Sequence, residues 1–166
     1  MNIILIGMPG CGKTTIGKML SERLEIPFFD CDEEIEKKCG MTIPQIFEKF
    51  GEPRFRDEES AVIAELVKKT DAVVSTGGGC VERQCNIDTM KNGGTVVFIN
   101  RSVDDIYGDV DISGRPLLAE GKERLRVLYE RRIDMYKGGC DIEVANCGTP
   151  DETVGKIIDE VERYNA

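Results

Sequence analysis

The stretch Gly7–Thr14, "GMPGCGKT", decides how the rest of the chain is read. It fits G-x-x-x-x-G-K-[ST], and its setting suits that pattern: the apolar run "NIILI" precedes it and the helix-period run "KTTIGKMLSERL" follows it. Glycines let the backbone curl into a nest of inward-pointing N–H groups. A helix beginning near Lys13 would add the positive end of its dipole. The backbone through Gly10, Cys11, Gly12, Lys13, Thr14 and Thr15 is therefore a cradle for a polyphosphate. Lys13 is placed to reach the β- and γ-phosphates, and the Thr14 hydroxyl to ligate Mg²⁺. The ligand implied is a nucleoside triphosphate such as ATP.

Working outward, β-rich apolar runs alternate with helix-period runs. "NIILI", "IPFFD", "DAVVS", "GTVVFIN" and "DIEVAN" read as five strands. Between them "DEEIEKKC" runs from acidic to basic, as a helix dipole favours. Thr42 with Gln45, and Thr149 with Pro150 and Glu152, carry helix-start signatures of the capping-box kind. "GEPRFRDEESAVIAELVKK" reads as a long helix, "VDDIY" as a short one and "ERLRVLYERRIDMY" as another. This alternation predicts an α/β fold, a three-layer α/β/α sandwich around a five-stranded parallel sheet, with strand two beside strand one. Residues 1–166 make one domain by length, with no repeat, linker or low-complexity tract. Gly108 to Lys122 has weak periodicity with Gly108, Gly114 and Gly121 scattered along it, and reads as a mobile loop.

Composition narrows the functions. A net charge of −9 does not suit the basic footprint of a nucleic-acid binder, so no nucleic-acid partner is expected. No apolar run approaches the ~18 residues of a membrane span, and the N-terminus has no basic leader region, so a cytoplasmic protein without membrane contact is expected. Seven cysteines without a C-x-x-C pair, in a chain with no histidine, offer no zinc-ligand spacing and read as reduced thiols. No long apolar stripe is left over, so a monomer is expected. A switch or hydrolase of the P-loop class carries a second strand ending in Asp. Here "DAVVS" and "TVVFIN" end in Ser and Asn, which favours transfer of the phosphoryl group to an acceptor.

Acceptor chemistry is suggested by "FFDCDEEIEKK", Phe28–Lys38. In an extended segment residues two apart face one way, so Asp30 and Asp32 share a side and Cys31 takes the other. Strand ends of such sheets carry the ligands, which directs both acids toward the γ-phosphate. One can serve Mg²⁺ through water while the other takes a proton from an acceptor hydroxyl. Arg56 and Glu59 stand three apart on a helix, where Glu59 can orient the guanidinium. Gly77, Gly78 and Gly79 follow a strand and allow close backbone approach. Arg132 adds a second cation. Two arginines can clamp a carboxylate, and together these residues outline a pocket for a small anionic polyol.

This set resembles the shikimate kinase family of nucleoside monophosphate kinase-like P-loop proteins over nearly the whole chain. The resemblance is carried by "GMPGCGKTT", "FFDCDEEIE", "IFEKFGEPRFRDEE", "STGGGC", "GRPLL" and "RRIDMY" in the family's order and spacing. It implies phosphorylation of the 3-hydroxyl of shikimate by ATP with Mg²⁺, with shikimate as the small-molecule partner. By the same resemblance, Asp30 holds Mg²⁺ through water, and Asp32 binds the shikimate hydroxyls and acts as base. Arg56 and Arg132 clamp the carboxylate, and Gly77–Gly79 contact shikimate. Arg115 closes on the phosphates from a lid of about 108–122, and residues 31–60 form the shikimate-binding region. Arg132 is preferred to Arg131 because the family pattern places a tyrosine four residues on, here Tyr136. The arginines that family members commonly carry before the lid and after the last strand are missing from "YGDVDIS" and "VANCGTP". The alternatives are a related kinase of gluconate or a nucleoside monophosphate, and a non-catalytic nucleotide-binding module.

Overall fold

The protein is described from a computed structural model, which covers the backbone of residues 1–112 and 119–166 and the side chains of residues 1–109 and 121–166. Five strands, β1 (Asn2–Ile6), β2 (Phe28–Asp30), β3 (Val73–Ser75), β4 (Gly94–Asn100) and β5 (Ile142–Ala145), form one parallel sheet in the order β2-β3-β1-β4-β5. The helices are α1 (Lys13–Leu24), α2 (Cys31–Cys39), α3 (Ile43–Phe50), α4 (Glu52–Leu66), α5 (Gln84–Gly93), α6 (Val103–Ile112), α7 (Ala119–Gly139) and α8 (Pro150–Asn165). A 3₁₀ turn, Cys80–Glu82, follows β3.

β1 is buried at every residue and β3 at every residue. Strands covered on both faces need near-continuous apolar runs, which Ile3, Ile4, Leu5 and Ile6 of β1 and Val73 and Val74 of β3 supply. α1 and α8 pack together on the sheet, while α5 and α7 contact β4. No described helix is long and apolar enough to cross a membrane. All seven cysteines are free thiols.

Four sequence expectations change. Strand two does not lie beside strand one: β3 inserts between them, leaving β2 at the edge, where its residues are only half-buried. The crossover from β1 to β2 skips one position, and the apolar β3 fills it. Second, α5 was not anticipated. Its buried residues are Asn86, Ile87 and Met90, and a polar residue in that set hides the apolar stripe. Third, helices occupy both ends of the expected loop from Gly108 to Lys122. α6 continues through Ile112 and α7 starts at Ala119. Val103, Ile106, Tyr107 and Val110 keep helical spacing, and a helix tolerates Gly108 at a cost of about 1 kcal/mol. Residues 113–118, with Arg115 and the rest of the expected lid, lie outside the described residues. Fourth, Thr149 caps α8 by accepting from the Glu152 amide, without the reciprocal bond from the Glu152 side chain. Thr42 and Gln45 do form both halves of their box.

Candidate active site

The sheet order reverses at β1, so the P-loop opens at the carboxyl edge where α/β proteins hold their ligands. Gly12 sits at φ 102° as the cap before α1, a conformation that a side chain would strain. A cavity of about 490 Å³ lies above this loop. Its wall includes Gly10, Gly12, Lys13, Thr14 and Thr15, then Asp30 and Asp32, then Ser75 to Gly78 from the end of β3.

Lys13 is buried. Its Nζ donates to the carbonyls of Gly7 (2.7 Å) and Met8 (2.9 Å) and lies 3.6 Å from the Cys11 sulfur. Among the described residues it has no carboxylate partner, so its charge is held by weak acceptors beside the phosphate cradle. Cys11 differs from its neighbours. Its side chain is buried, it does not line the cavity, and its amide donates to the Met8 carbonyl within the loop. Asn146, after β5, donates to the Cys11 carbonyl at 2.8 Å and accepts from Thr153 at 2.9 Å, bracing the P-loop from behind.

The two acids reach the cavity by a route other than the one their spacing suggests. β2 ends at Asp30, and Cys31 already begins α2, so they do not lie on one extended face. Asp30 is the N-cap: its Oδ1 accepts from the amides of Asp32 (2.9 Å) and Glu33 (3.2 Å). Asp32 projects from the first helical turn, and Cys31 is buried in the core. The second Asp30 oxygen accepts from the Thr14 hydroxyl at 3.2 Å. A hydroxyl and a carboxylate oxygen meeting on the wall of a phosphate cavity are hard oxygen donors, which fits Mg²⁺.

Among the described residues two buried carboxylate oxygens have no hydrogen-bond partner, Asp32 Oδ1 and Glu59 Oε2. Both flank the same backbone position. A Cβ added at Gly77 would lie 2.8 Å from Glu59 Oε2 and 3.2 Å from Asp32 Oδ1. Burial, followed by the Asp30 carboxylate, raises the Asp32 pKa against the opposing charges of Lys13 and Arg56. Burial likewise raises that of Glu59, with the Arg56 hydrogen bond pulling the other way.

Arg56 and Arg132 do not line the cavity but gather around the glycine loop. Arg56 donates to Glu59 (2.9 Å) and to Glu52 (3.3 Å), and its guanidinium occupies the space that a side chain at Gly79 would need. Arg132 is 7% exposed and contacts Glu82, whereas the neighbouring Arg131 points outward. The sequence reading does not single out Glu52, Glu82 or Asn146. Nor does it single out Arg101, which donates to the Gly10 carbonyl (3.1 Å), pairs with Asp109 (2.5 Å) and lines the cavity.

A P-loop opening into an acid-lined cavity on this sheet defines a nucleotide-binding α/β protein of the nucleoside monophosphate kinase-like class. The family model for shikimate kinase matches residues 9–162. A shikimate kinase of Clostridium botulinum (strain Eklund 17B) is 50% identical over 155 residues, 93% of each chain. Among solved structures, that of Acinetobacter baumannii shikimate kinase in complex with shikimate is similar with TM-score 0.89 at 36% identity, covering 98% of this chain and 93% of the other. That of Aquifex aeolicus shikimate kinase has TM-score 0.82 at 40% identity, with 98% and 96% covered. The chain belongs to the shikimate kinase family.

Proposed function

We propose that the protein transfers the γ-phosphoryl group of ATP to the 3-hydroxyl of shikimate, giving shikimate 3-phosphate and ADP. The observation that carries this reading is Asp32: a buried carboxylate oxygen without a partner among the described residues, on a cavity wall shared with Lys13 and Thr14. Buried polar oxygens are almost always satisfied, so one left open beside a phosphate cradle is an acceptor waiting for a ligand donor. Family membership supplies the nature of that donor, a ring hydroxyl.

In the proposed step Asp32 accepts the 3-hydroxyl proton as the oxygen bonds to the γ-phosphorus. The bond from phosphorus to the β–γ bridging oxygen breaks, and ADP leaves with that electron pair. The P-loop amides and Lys13 hold the β- and γ-phosphates. Lys13 exchanges its two carbonyl acceptors for phosphate oxygens, a charge-assisted and therefore stronger pairing. Thr14 and, through water, Asp30 would hold Mg²⁺, which supplies charge neutralisation at the phosphates. Arg56 and Arg132 bind the shikimate carboxylate, and the backbone of Gly77–Gly79 lies against the ring. Residues 31–60 form the substrate-binding part of one kinase domain, Arg115 closes on the phosphates from a lid, and the enzyme works as a cytoplasmic monomer. ADP release measured with shikimate, gluconate, AMP or no acceptor tests the reaction. Turnover with shikimate alone is expected. Preference for another acceptor, or equal release without one, would overturn it.

A further inference from the structure

Arg132 is received side-on by one carboxylate. Its Nε and Nη2 lie 3.2 and 2.8 Å from the same oxygen of Glu82, Oε2. The second oxygen, Oε1, takes the exposed Arg131. Glu82 is itself largely covered, at 16% side-chain exposure. It closes the 3₁₀ turn Cys80–Glu82, which continues directly from Gly77–Gly79. The backbone that forms the glycine loop thus also presents the carboxylate that grips Arg132.

We infer that Glu82 is a positioning residue for substrate binding: it aims the Arg132 guanidinium at the ligand carboxylate. The inference rests on the reading of Arg132 as half of the carboxylate clamp. A guanidinium carries five N–H donors in a rigid fork. Glu82 takes the Nε–Nη2 edge and Arg132 also interacts with the Tyr136 hydroxyl one turn on, so the fork is fixed from two sides with N–H donors to spare for a ligand. Arginine is rotamer-rich, and fixing it beforehand removes an ordering cost from binding. The charge balance supports positioning over competition. Arg131, Arg132 and Glu82 together sum to one positive charge, so the cluster still attracts an acid. Arg56, by contrast, is already matched by Glu52 and Glu59. Without Glu82 the Arg132 guanidinium loses the carboxylate that fixes its fork and swings out of register with the ligand.

The test is calorimetric titration of shikimate, with steady-state kinetics, on Glu82→Ala, Glu82→Gln, Arg131→Ala and Arg132→Ala. Glu82→Ala is expected to weaken shikimate binding and raise its KM by about 10-fold, the scale of one lost charge-assisted contact, while kcat and the KM for ATP change less than about threefold. Glu82→Gln keeps an acceptor oxygen at low risk to the fold and should fall between Glu82→Ala and the wild type. Arg131→Ala should change shikimate affinity less than about threefold because Oε2 still holds Arg132. If Glu82→Ala and Glu82→Gln bind shikimate as tightly as the wild type or more tightly, while Arg132→Ala loses it, the positioning role is wrong and the clamp stands. If Arg132→Ala also binds normally, the clamp and the positioning role both fall. A uniform loss of kcat and of affinity for both substrates in Glu82→Gln would mark a structural residue only and overturn the inference.

Discussion

The Tyr136 hydroxyl donates to the Gly78 carbonyl at 2.6 Å, joining α7 to the glycine loop that follows β3. The tyrosine is fully buried and stacks on Phe98 of β4, with ring centroids 5.0 Å apart. Arg132 sits one helical turn before it, so this anchor ties the same stretch of α7 to both the sheet and the loop. Tyr136→Phe keeps the ring and deletes the anchor. Leaving the Gly78 carbonyl unpaired should cost roughly 1–3 kcal/mol. Thermal unfolding should show a drop of several degrees, and the shikimate KM should rise more than that for ATP. An unchanged KM for shikimate would detach this bond from substrate binding.

Lys13→Ala removes the one lysine that, among the described residues, lines the phosphate cavity. Its Nζ rests on two P-loop carbonyls, so the loop loses an internal tie as well as a ligand contact. ADP binding by titration should weaken about 10-fold or more, by the loss of a charge-assisted contact. Turnover should fall with every acceptor. Retention of ADP affinity would remove Lys13 from the cradle.

How much of this was legible in the sequence depended on the distance between the residues involved. The P-loop, the Arg56–Glu59 pair and the Thr42 cap are local patterns, and local spacing dictates them. The strand order is not local: β2 and β3 compete for the place beside β1, and only packing of the whole sheet decides which takes it. Glu82 and Arg132 are 50 residues apart in the chain, and each looks like an ordinary surface charge in its own context. Asp30 and Asp32 were found for a reason that fails in detail. The assumed strand ends at Asp30, whose capping bonds turn the chain into α2 while leaving one oxygen for Thr14. Helical Gly108 and Gly121 disguised the ends of α6 and α7 as loop.

Arg115→Ala tests the proposed lid arginine. A cation acting on charge that develops in the transition state should lower kcat far more than it changes substrate affinity. Losses of about 10²–10³-fold in kcat are typical when one such stabilising group is removed. Single-turnover measurement at saturating ATP and shikimate reads this directly. An effect confined to KM would make Arg115 a ground-state binding residue.

Asp32→Asn should separate activity from stability. Burial and the Asp30 carboxylate hold the Asp32 pKa above its ordinary value, so the native state keeps this proton to higher pH than the unfolded chain does. Between the two pKa values the native state binds more protons, and stability therefore falls as pH rises through that window. At neutral pH the ionised side chain is a net cost to the fold, and its open Oδ1 adds to that cost. Asn is close in shape and carries no charge. It should raise stability at pH 7 by roughly 0.5–2 kcal/mol, at about 2–4 °C in Tm per kcal/mol for a chain of this size. The gain should vanish in acid, below the ordinary carboxylate pKa, where both native and unfolded Asp32 are protonated. Phosphoryl transfer should meanwhile fall about 10²–10⁴-fold, as expected for a lost general base, with ADP affinity nearly unchanged. Tm measured against pH for both proteins, beside their single-turnover rates, checks each part. A lower Tm for Asp32→Asn at pH 7 would reverse the electrostatic argument, and retained turnover would end the assignment of Asp32 as the base.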